Sequence, residues 1–431
     1  MEEWKEYRLG DIAIIKGGKR LPKGIELISI PNAHPYIRIC DMYVNKTMEL
    51  TSSYRYVDNN TFNKIKNYVV NSRDVILAIV GNTIGLVAVI GKSLENANLT
   101  ENCVKIIANK GVSQEFIYYY LTSVYGQNKI KKGIVGAAQP KLPIKNIISI
   151  TISAPSQELQ ERITNILSSL DDKIELNRRI NENLEQQAQA LFKSWFVDFE
   201  PFRDGKFVDS ELGRIPEGWK VGTFKDIIHS TLSGDWGKEC KQGNYTQKVF
   251  CIRGADIPNI KRGDKGNMPT RFIIEKNFQS KALMDGDMVI EVSGGSPTQA
   301  TGRACRISRG LLDKYNHSIV CTNFCRAIKP LSQYSSFLYY MWEMFYNQGI
   351  MFSYENGTTG IKNLDINGLI QKEPIIIPPV EIALEFEKIT QIYYEKIQFN
   401  GVESEKLSQL RDTLLPRLMS GELEIKDNSY D

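Results

Sequence analysis

Residues 210–227 read SELGRIPEGWKVGTFKDI, and residues 1–12 read MEEWKEYRLGDI. Trp4, Lys5, Leu9, Asp11 and Ile12 fall on Trp219, Lys220, Phe224, Asp226 and Ile227 at a constant offset of 215 residues. The chain opens twice, and its fold turns on whether the residues after each opening keep step. They do, in order. PYIRICDM (35–42) matches FCIRGADI (250–257), setting Arg38 on Arg253 and Asp41 on Asp256. RDVILAIVG (73–81) matches GDMVIEVSG (286–294) at offset 213. ENCVKII and QEFIYYYL match TNFCRAI and SSFLYYMW at offset 221, which sets Asn102 on Asn323 and Phe116 on Phe337. GAAQPKLPI (136–144) then matches GTTGIKNLDI (357–366). Ordered blocks with small drifts are an internal duplication, so the fold is read as two copies of one domain.

Val75–Val80 and Met288–Val292 are short apolar runs closed by glycine, as buried strands require. FIYYYL and FLYYMW carry apolar residues at i, i+3 and i+4 and suit helices packed on a sheet. Each copy therefore reads as a mixed α+β domain. The segment after each copy differs in kind. QELQERITNILSSLDDKIELNRRINENLEQQAQALFKSWF (157–196) holds no Pro or Gly. Its apolar residues lie near a heptad seam that includes Ile174, Leu184 and Leu191, with Asn177 on the same seam. The counterpart from Glu381 carries Ile397, Asn400, Leu407 and Leu414 at matched positions, offset 223. A lone helix of this length would expose a long apolar stripe, so the two helices are expected to pack on each other as an antiparallel coiled coil, in a pseudo-twofold arrangement. These eight seam residues are the candidate partner contacts of the helices. The expected organisation is a first domain at 1–155, a first helix at 156–196, a linker at 197–214, a second domain at 215–379, a second helix at 380–420 and a tail at 421–431.

The bulk properties agree with this and exclude several classes. A chain of 431 residues exceeds one ordinary core. Its 54 basic and 50 acidic residues leave a net charge of only +4, so any contact with nucleic acid has to come from local patches. The charged opening lacks the apolar core of a secretory leader. The most apolar stretch, ILAIVGNTIGLVAVIG (76–91), is broken by Asn82, Thr83 and glycines and falls short of the ~20 residues that a membrane helix needs. No membrane contact is expected, and the location is read as cytoplasmic. Seven cysteines without a CxxC spacing argue against a disulfide framework and read as buried free thiols. Disorder is expected only in the final KDNSYD.

Taken together, the ELGRIPEGW segment, the duplicated LxDI and IRxxD blocks, and the helix ends LFKSWF and LLPRLMSGEL resemble the specificity subunit of type I DNA restriction-modification systems across essentially the whole chain. The resemblance implies two target-recognition domains that each read one half of a split, asymmetric sequence in double-stranded DNA. It implies spacer helices that bind two adenine-N6 methyltransferase subunits, with motor-nuclease restriction subunits joining them. S-adenosylmethionine, ATP and Mg2+ would then belong to those partners, and this chain would hold no cofactor. A helix of ~35 residues is ~50 Å long, about one and a half turns of duplex, so the helices would act as a ruler.

The residues by themselves also argue against catalysis. His34, His229 and His317 stand in no metal-binding or triad spacing. GLVAVIGKS (85–93) has five residues between its glycines where a phosphate-binding loop has four, and the insert is strand-like. The Asn/Asp-Pro-Pro-aromatic signature of an amino-methyltransferase is absent. Neither catalytic nor metal-ligating residues are expected.

DNA contact needs Lys, Arg, Thr, Ser or backbone N–H for phosphates, and Arg, Lys, Asn or Gln for base edges. Three loops per copy supply them. The first loop offers Lys19 and Arg20, paralleled by Lys238. The second offers Asn82 and Thr83, paralleled by Ser296, Thr298, Gln299 and Arg303. The third offers Lys132, Gln139 and Lys141, paralleled by Thr358, Thr359 and Lys362. Arg38 and Arg253 are further candidates, with ion pairing to Asp41 and Asp256 as the competing role. A lysine such as Lys141 is expected to contact phosphate and to serve all sequences alike, and Arg303 to read one base position. Two rival readings are a specificity cassette working without local partners and a duplicated scaffold for protein or RNA.

Overall fold

The computed structural model describes residues 4–42, 46–296, 299–357 and 362–425. The chain divides into two compact units, Met1–Lys173 with Leu407–Asp431, and Ile174–Lys406. Each unit holds one globular domain and one stretch of each long helix.

The first domain is built from β1 (Lys5–Arg8), β2 (Ala13–Gly17), β3 (Pro35–Ile37), β4 (Thr47–Met48), β5 (Arg55–Tyr56), β6 (Val75–Ala78), β7 (Val87–Ile90), β8 (Asn98–Leu99), β9 (Cys103–Ala108) and β10 (Thr151–Ala154). One sheet runs in the order β2-β9-β6-β7-β4, a second runs β5-β3-β8, and β1 pairs with β10. Strand β6 explains why its sequence does not alternate. Val75 and Leu77 pack under the helix Gln114–Thr122 with Phe116 and Ile117, whereas Ile76 and Ala78 face the small sheet with Ile37 and Leu99. A strand covered on both faces is apolar throughout.

The second unit carries a hairpin, β11 (Phe207–Ser210) and β12 (Gly213–Pro216), then β13 (Lys220–Thr223), β14 (Ile228–Ser233), β15 (Tyr245–Ile252), β16 (Thr270–Ile274), β17 (Met288–Glu291), β18 (Ser293–Gly294), β19 (Ala304–Arg306), β20 (Ile319–Cys321), β21 (Cys325–Pro330), β22 (Glu355–Asn356), β23 (Lys362–Leu364) and β24 (Pro374–Ile377). Its sheets repeat the first plan. The order β14-β21-β17-β19 answers β2-β9-β6-β7, β16-β15-β20 answers β5-β3-β8, and β13-β24 answers β1-β10. The parallel pairing of β3 with β8 recurs between β15 and β20. Strand β4 occurs only in the first copy and the sheet β18-β23-β22 only in the second, among the described residues.

The pairing corrects one register. Val75 lies opposite Ile106 and Met288 opposite Ile328, so the block after residue 100 runs at offset 222, not 221. Thr100 then corresponds to Thr322, Cys103 to Cys325, and Asn102 to Phe324. A one-residue slip would turn every side chain of the strand to the other face, so the ladder decides where sequence matching was ambiguous.

The long helices are Gln157–Phe196 and Val380–Met419. In the first unit Arg411 reaches Asp171 (2.7 Å) and the Arg162 guanidinium donates to the Ile425 carbonyl (2.8 Å). In the second, Asn177 donates to Glu403 (2.7 Å) and Asn181 to the Ile397 carbonyl (3.1 Å). Numbers fall on one helix as they rise on the other, so within each unit the segments run antiparallel. The same segments also cover the domains. Ile163, Leu167, Leu418 and Met419 enter the first core, and Ala188, Phe192, Phe196, Ala383 and Phe386 enter the second. The helices thus pair with each other and cap their domains at once, because a helix of this width has room for both contacts on different faces.

Two segments expected to be plain connectors are packed. The linker 197–214 begins the β11-β12 hairpin, and Phe199 and Phe202 stack edge-on against Trp219. In the tail, Leu423 and Ile425 lie on the first core. The remaining tail, the KDNSYD segment, lies outside the described residues.

Five of the seven cysteines are buried, and burial pushes the Cys103 and Cys251 thiols up to about 12. Cys40 and Cys240 are exposed, contrary to expectation, Cys40 on the short 3-10 helix Ile39–Asp41 and Cys240 in a surface bend. Among the described residues no helix is long and apolar enough to cross a membrane.

Candidate nucleic-acid interface

In the first domain the three loops converge on one turn, Leu99–Asn102. Gly18 lies so close to it that a Cβ would stand 2.0 Å from the Thr100 carbonyl oxygen. The Lys19 N–H donates to the Leu99 carbonyl (2.8 Å), and the Tyr36 hydroxyl donates to the Lys19 carbonyl (2.8 Å). Arg20 pairs with Glu101 at 2.7 Å with its side chain largely in solvent. The second loop is rooted on the same turn, because the Ile79 N–H donates to the Asn102 carbonyl (2.9 Å). The third loop joins the second, with Leu142 N–H to Ile79 (2.9 Å), Gly81 N–H to Pro140 (3.0 Å), and Lys141 bridged to Val80. Lys19, Arg20, Asn82, Gln139 and Lys141 are exposed there, and Thr83 is half-buried with its hydroxyl donating to the Val80 carbonyl (3.1 Å). Lys132 stands elsewhere, in a cleft with Tyr120, Lys129 and Ser420.

The second domain repeats the construction on Cys321–Phe324. A Cβ on Gly234 would stand 2.0 Å from the Thr322 carbonyl oxygen, and the Asp235 N–H donates to Cys321 (2.8 Å). Val292 and Ser293 donate to the Phe324 carbonyl at 2.9 and 3.2 Å, and Ser293 pairs with Asn363 across β18 and β23. Backbone bonds alone therefore bring the three loops together twice, whatever side chains they carry. Lys238 is exposed, its ammonium 5.6 Å from the Tyr245 ring, and Gln299 is exposed beside half-buried Ser296. Thr298, Thr358 and Thr359 lie outside the described residues.

Several predicted DNA-contacting side chains are engaged within the chain. The Arg38 guanidinium binds Asp41 through Nε (3.0 Å) and Nη2 (2.6 Å) and also donates to the Ser53 carbonyl (3.2 Å). Arg253 repeats this with Asp256 (3.0 and 3.2 Å) and the Asn267 carbonyl (2.7 Å). Burial pushes the Asp256 carboxyl up, but the bonds from Arg253 and the Asn267 and Arg253 amides outweigh it and hold the group below its ordinary value. Of the two roles open to these arginines, the geometry occupies the structural one. Arg303 binds buried Glu291 through Nε (2.8 Å) and Nη2 (2.6 Å), and those bonds raise its pKa. Lys362 pairs with Glu355 at 2.6 Å, which also accepts from the Thr301 N–H (2.6 Å). Arg303 and Lys362 therefore tie the second and third loops down.

The helix seam is likewise internal. Asn177, Asn181, Ile397 and Asn400 are buried, and Asn400 donates to Asn181 (2.8 Å), which donates to the Arg262 carbonyl (2.9 Å). Asn177, Ile397 and Asn400 hold helix to helix in this chain and offer no surface to another subunit. Ile174, Leu184, Leu191, Leu407 and Leu414 are half-buried. The helix surface left open carries other residues, Leu176, Leu384, Ile392 and Phe399 in the second unit and Ile166 and Leu410 in the first. Matching by heptad put Ile166 and Leu410 on the apolar stripe and missed Leu176, Leu384, Ile392 and Phe399. Also missed was the Arg271 guanidinium stacked 3.8 Å from the Trp236 ring centroid in the first loop of the second domain.

Fold and site define a duplicated recognition protein in which two domains present the same loop scaffold with different side chains. The family model described as type I restriction modification DNA specificity domain matches residues 1–186. The MjaIX specificity subunit of a type I restriction enzyme from Methanocaldococcus jannaschii is 32% identical over 331 residues, covering 75% of this chain and 72% of that one. The HindI specificity subunit from Haemophilus influenzae is 25% identical over 98% of this chain and all of its own length. The crystal structure of a type I system S subunit from M. genitalium superposes with a TM-score of 0.52 at 16% identity, covering 99% of this chain and 97% of that one, which concerns the fold alone. The chain belongs to the specificity subunits of type I restriction-modification enzymes, non-catalytic subunits whose role is DNA recognition.

Proposed function

We propose that each globular domain reads one half of a split, asymmetric duplex site through its three convergent loops. On this reading Lys19, Arg20 and Lys141 in the first domain, and Lys238 in the second, meet phosphates. Asn82, Gln139 and Gln299 reach base edges, since they combine exposure with paired donor and acceptor atoms. The observation that carries the reading is the double occurrence of one backbone-built scaffold, on Leu99–Asn102 and on Cys321–Phe324, with unlike loop sequences. Two readers on one scaffold suit two unlike half-sites. The exposed apolar residues of the helices, Ile392 and Phe399 foremost at 64% and 61%, are proposed to dock adenine-N6 methyltransferase subunits, to which motor-nuclease subunits add. S-adenosylmethionine, ATP and Mg2+ would be bound by those partners, in the cytoplasm.

The test is a long-read methylation map of DNA from cells expressing this chain with its methyltransferase subunit, against cells lacking this chain. A new split motif methylated on adenine in both strands is expected. No new motif, with both proteins folded and associated, would overturn the reading in favour of a scaffold.

A further inference from the structure

Resting on that reading, we propose that Phe324 is a wedge of the second domain, its ring pushed between base pairs of the half-site to unstack one step. Phe324 is 61% exposed, against 44% for Phe352 and 36% for Trp236 in the same domain. An isolated exposed aromatic on a loosely held loop would carry no meaning, but this one is rigidly mounted. Its carbonyl accepts from both Val292 and Ser293, and the Cys325 N–H just after it donates to Thr322 (2.9 Å). It also sits at the root of all three loops. Gly234 presses on Thr322 two residues before it, Ser293 of the second loop bonds it directly, and the third loop pairs with Ser293. A cationic side chain flanks the same loops, exposed Lys238 on the first.

Apolar side chains that enter DNA do so as wedges at base steps, and a ring can stack on any base without reading its edge. The first domain holds half-buried Asn102 at the equivalent position, bonded through the same carbonyl to Ile79. An amide hydrogen-bonds to a base edge, whereas a phenyl ring has only its faces. The two domains therefore treat the DNA beneath this turn differently, one by hydrogen bonding and one by deformation, and the step under Phe324 is favoured when it is an easily unstacked pyrimidine-purine step.

The experiment uses the full chain reconstituted with its methyltransferase subunit on duplexes of the mapped motif, with 2-aminopurine placed at each position in turn. Wild type is expected to brighten one position in one half-site. Phe324→Asn should abolish that signal and weaken binding about 5- to 150-fold, the worth of ~1–3 kcal/mol of stacking at ~1.4 kcal/mol per tenfold. Phe324→Trp should keep both signal and affinity. Should Phe324→Asn lower the melting temperature, Phe324→Ala, ringless and too short to enter the stack, replaces it. Unchanged affinity and fluorescence in the ringless variant would overturn the wedge while leaving half-site recognition standing. Lost assembly with the methyltransferase subunit at unchanged DNA affinity would overturn it too, as a protein contact. Absence of any methylated motif would fail the recognition reading itself, and the wedge with it.

Discussion

Replacing Arg303 by alanine separates two roles that its chemistry permits, base reader and internal brace. Its guanidinium makes a bidentate pair with Glu291, which is 6% exposed. Removing one partner of a buried pair leaves an uncompensated charge and typically costs ~3–5 kcal/mol. Arg303 itself keeps 26% of its exposure, so water reaches the pair and the lower end applies, about 3 kcal/mol. The strand beneath is otherwise intact, because Glu291 N–H still donates to the residue 303 carbonyl and Trp342 still donates to the Gly302 carbonyl. The damage should therefore concentrate in the turn that carries Ser296 and Gln299. Urea denaturation followed by fluorescence should show the lowered midpoint. Competition binding against every single-base variant of the half-site should show loss for all sequences alike. Glu291→Gln with Arg303→Met removes both charges and should recover stability to within ~1 kcal/mol of wild type. An unchanged midpoint together with relaxed preference at a single base pair would refute the brace and restore Arg303 as a reader.

Gly18→Ala and Gly234→Ala each place a methyl group 2.0 Å from a carbonyl oxygen, so each should displace its first loop, lower the melting temperature and abolish recognition of only one half-site in the methylation map. Asn181→Ala and Asn400→Ala should each destabilise the helix crossing, and their double-mutant cycle should show coupling of ~0.5–3 kcal/mol through the 2.8 Å bond; additive losses would mean that the bond does not form. Because the Asp256 carboxyl is held below its ordinary 3.8, its pair stabilises the fold above that pH, and the contribution fades as pH falls through the lower folded value. Asp256→Asn should therefore cost ~1–3 kcal/mol at pH 7, and thermal melts should show the gap from wild type closing below pH 3.8.

The duplication, the strand runs at Val75 and Met288, the amphipathic helices at Phe116 and Phe337, and both long helices were legible in the sequence. All are local or periodic signals that a chain carries whatever its partners in space, and the absence of any catalytic spacing is legible in the same way. Asn177 and Asn400 were legible as well, since a polar residue in an apolar stripe stands out. Asn181 was not marked, because its role comes from Asn400 on the other helix and from the Arg262 carbonyl 81 residues away. Charge on a loop marked Arg303 and Lys362 as DNA ligands, yet each has a carboxylate in reach that only the folded chain supplies, whereas Asp41 and Asp256, three residues after Arg38 and Arg253, were already legible as rival partners. The strand register after Thr100 and Thr322 is likewise a property of the sheet. Sequence matching favours Asn102 on Asn323, and only the ladder between β17 and β21 sets Asn102 on Phe324 and so exposes a ring at the centre of the second interface. Secondary structure and repetition follow from neighbours along the chain, whereas which charge is spent inside and which aromatic is left outside depends on neighbours brought by folding.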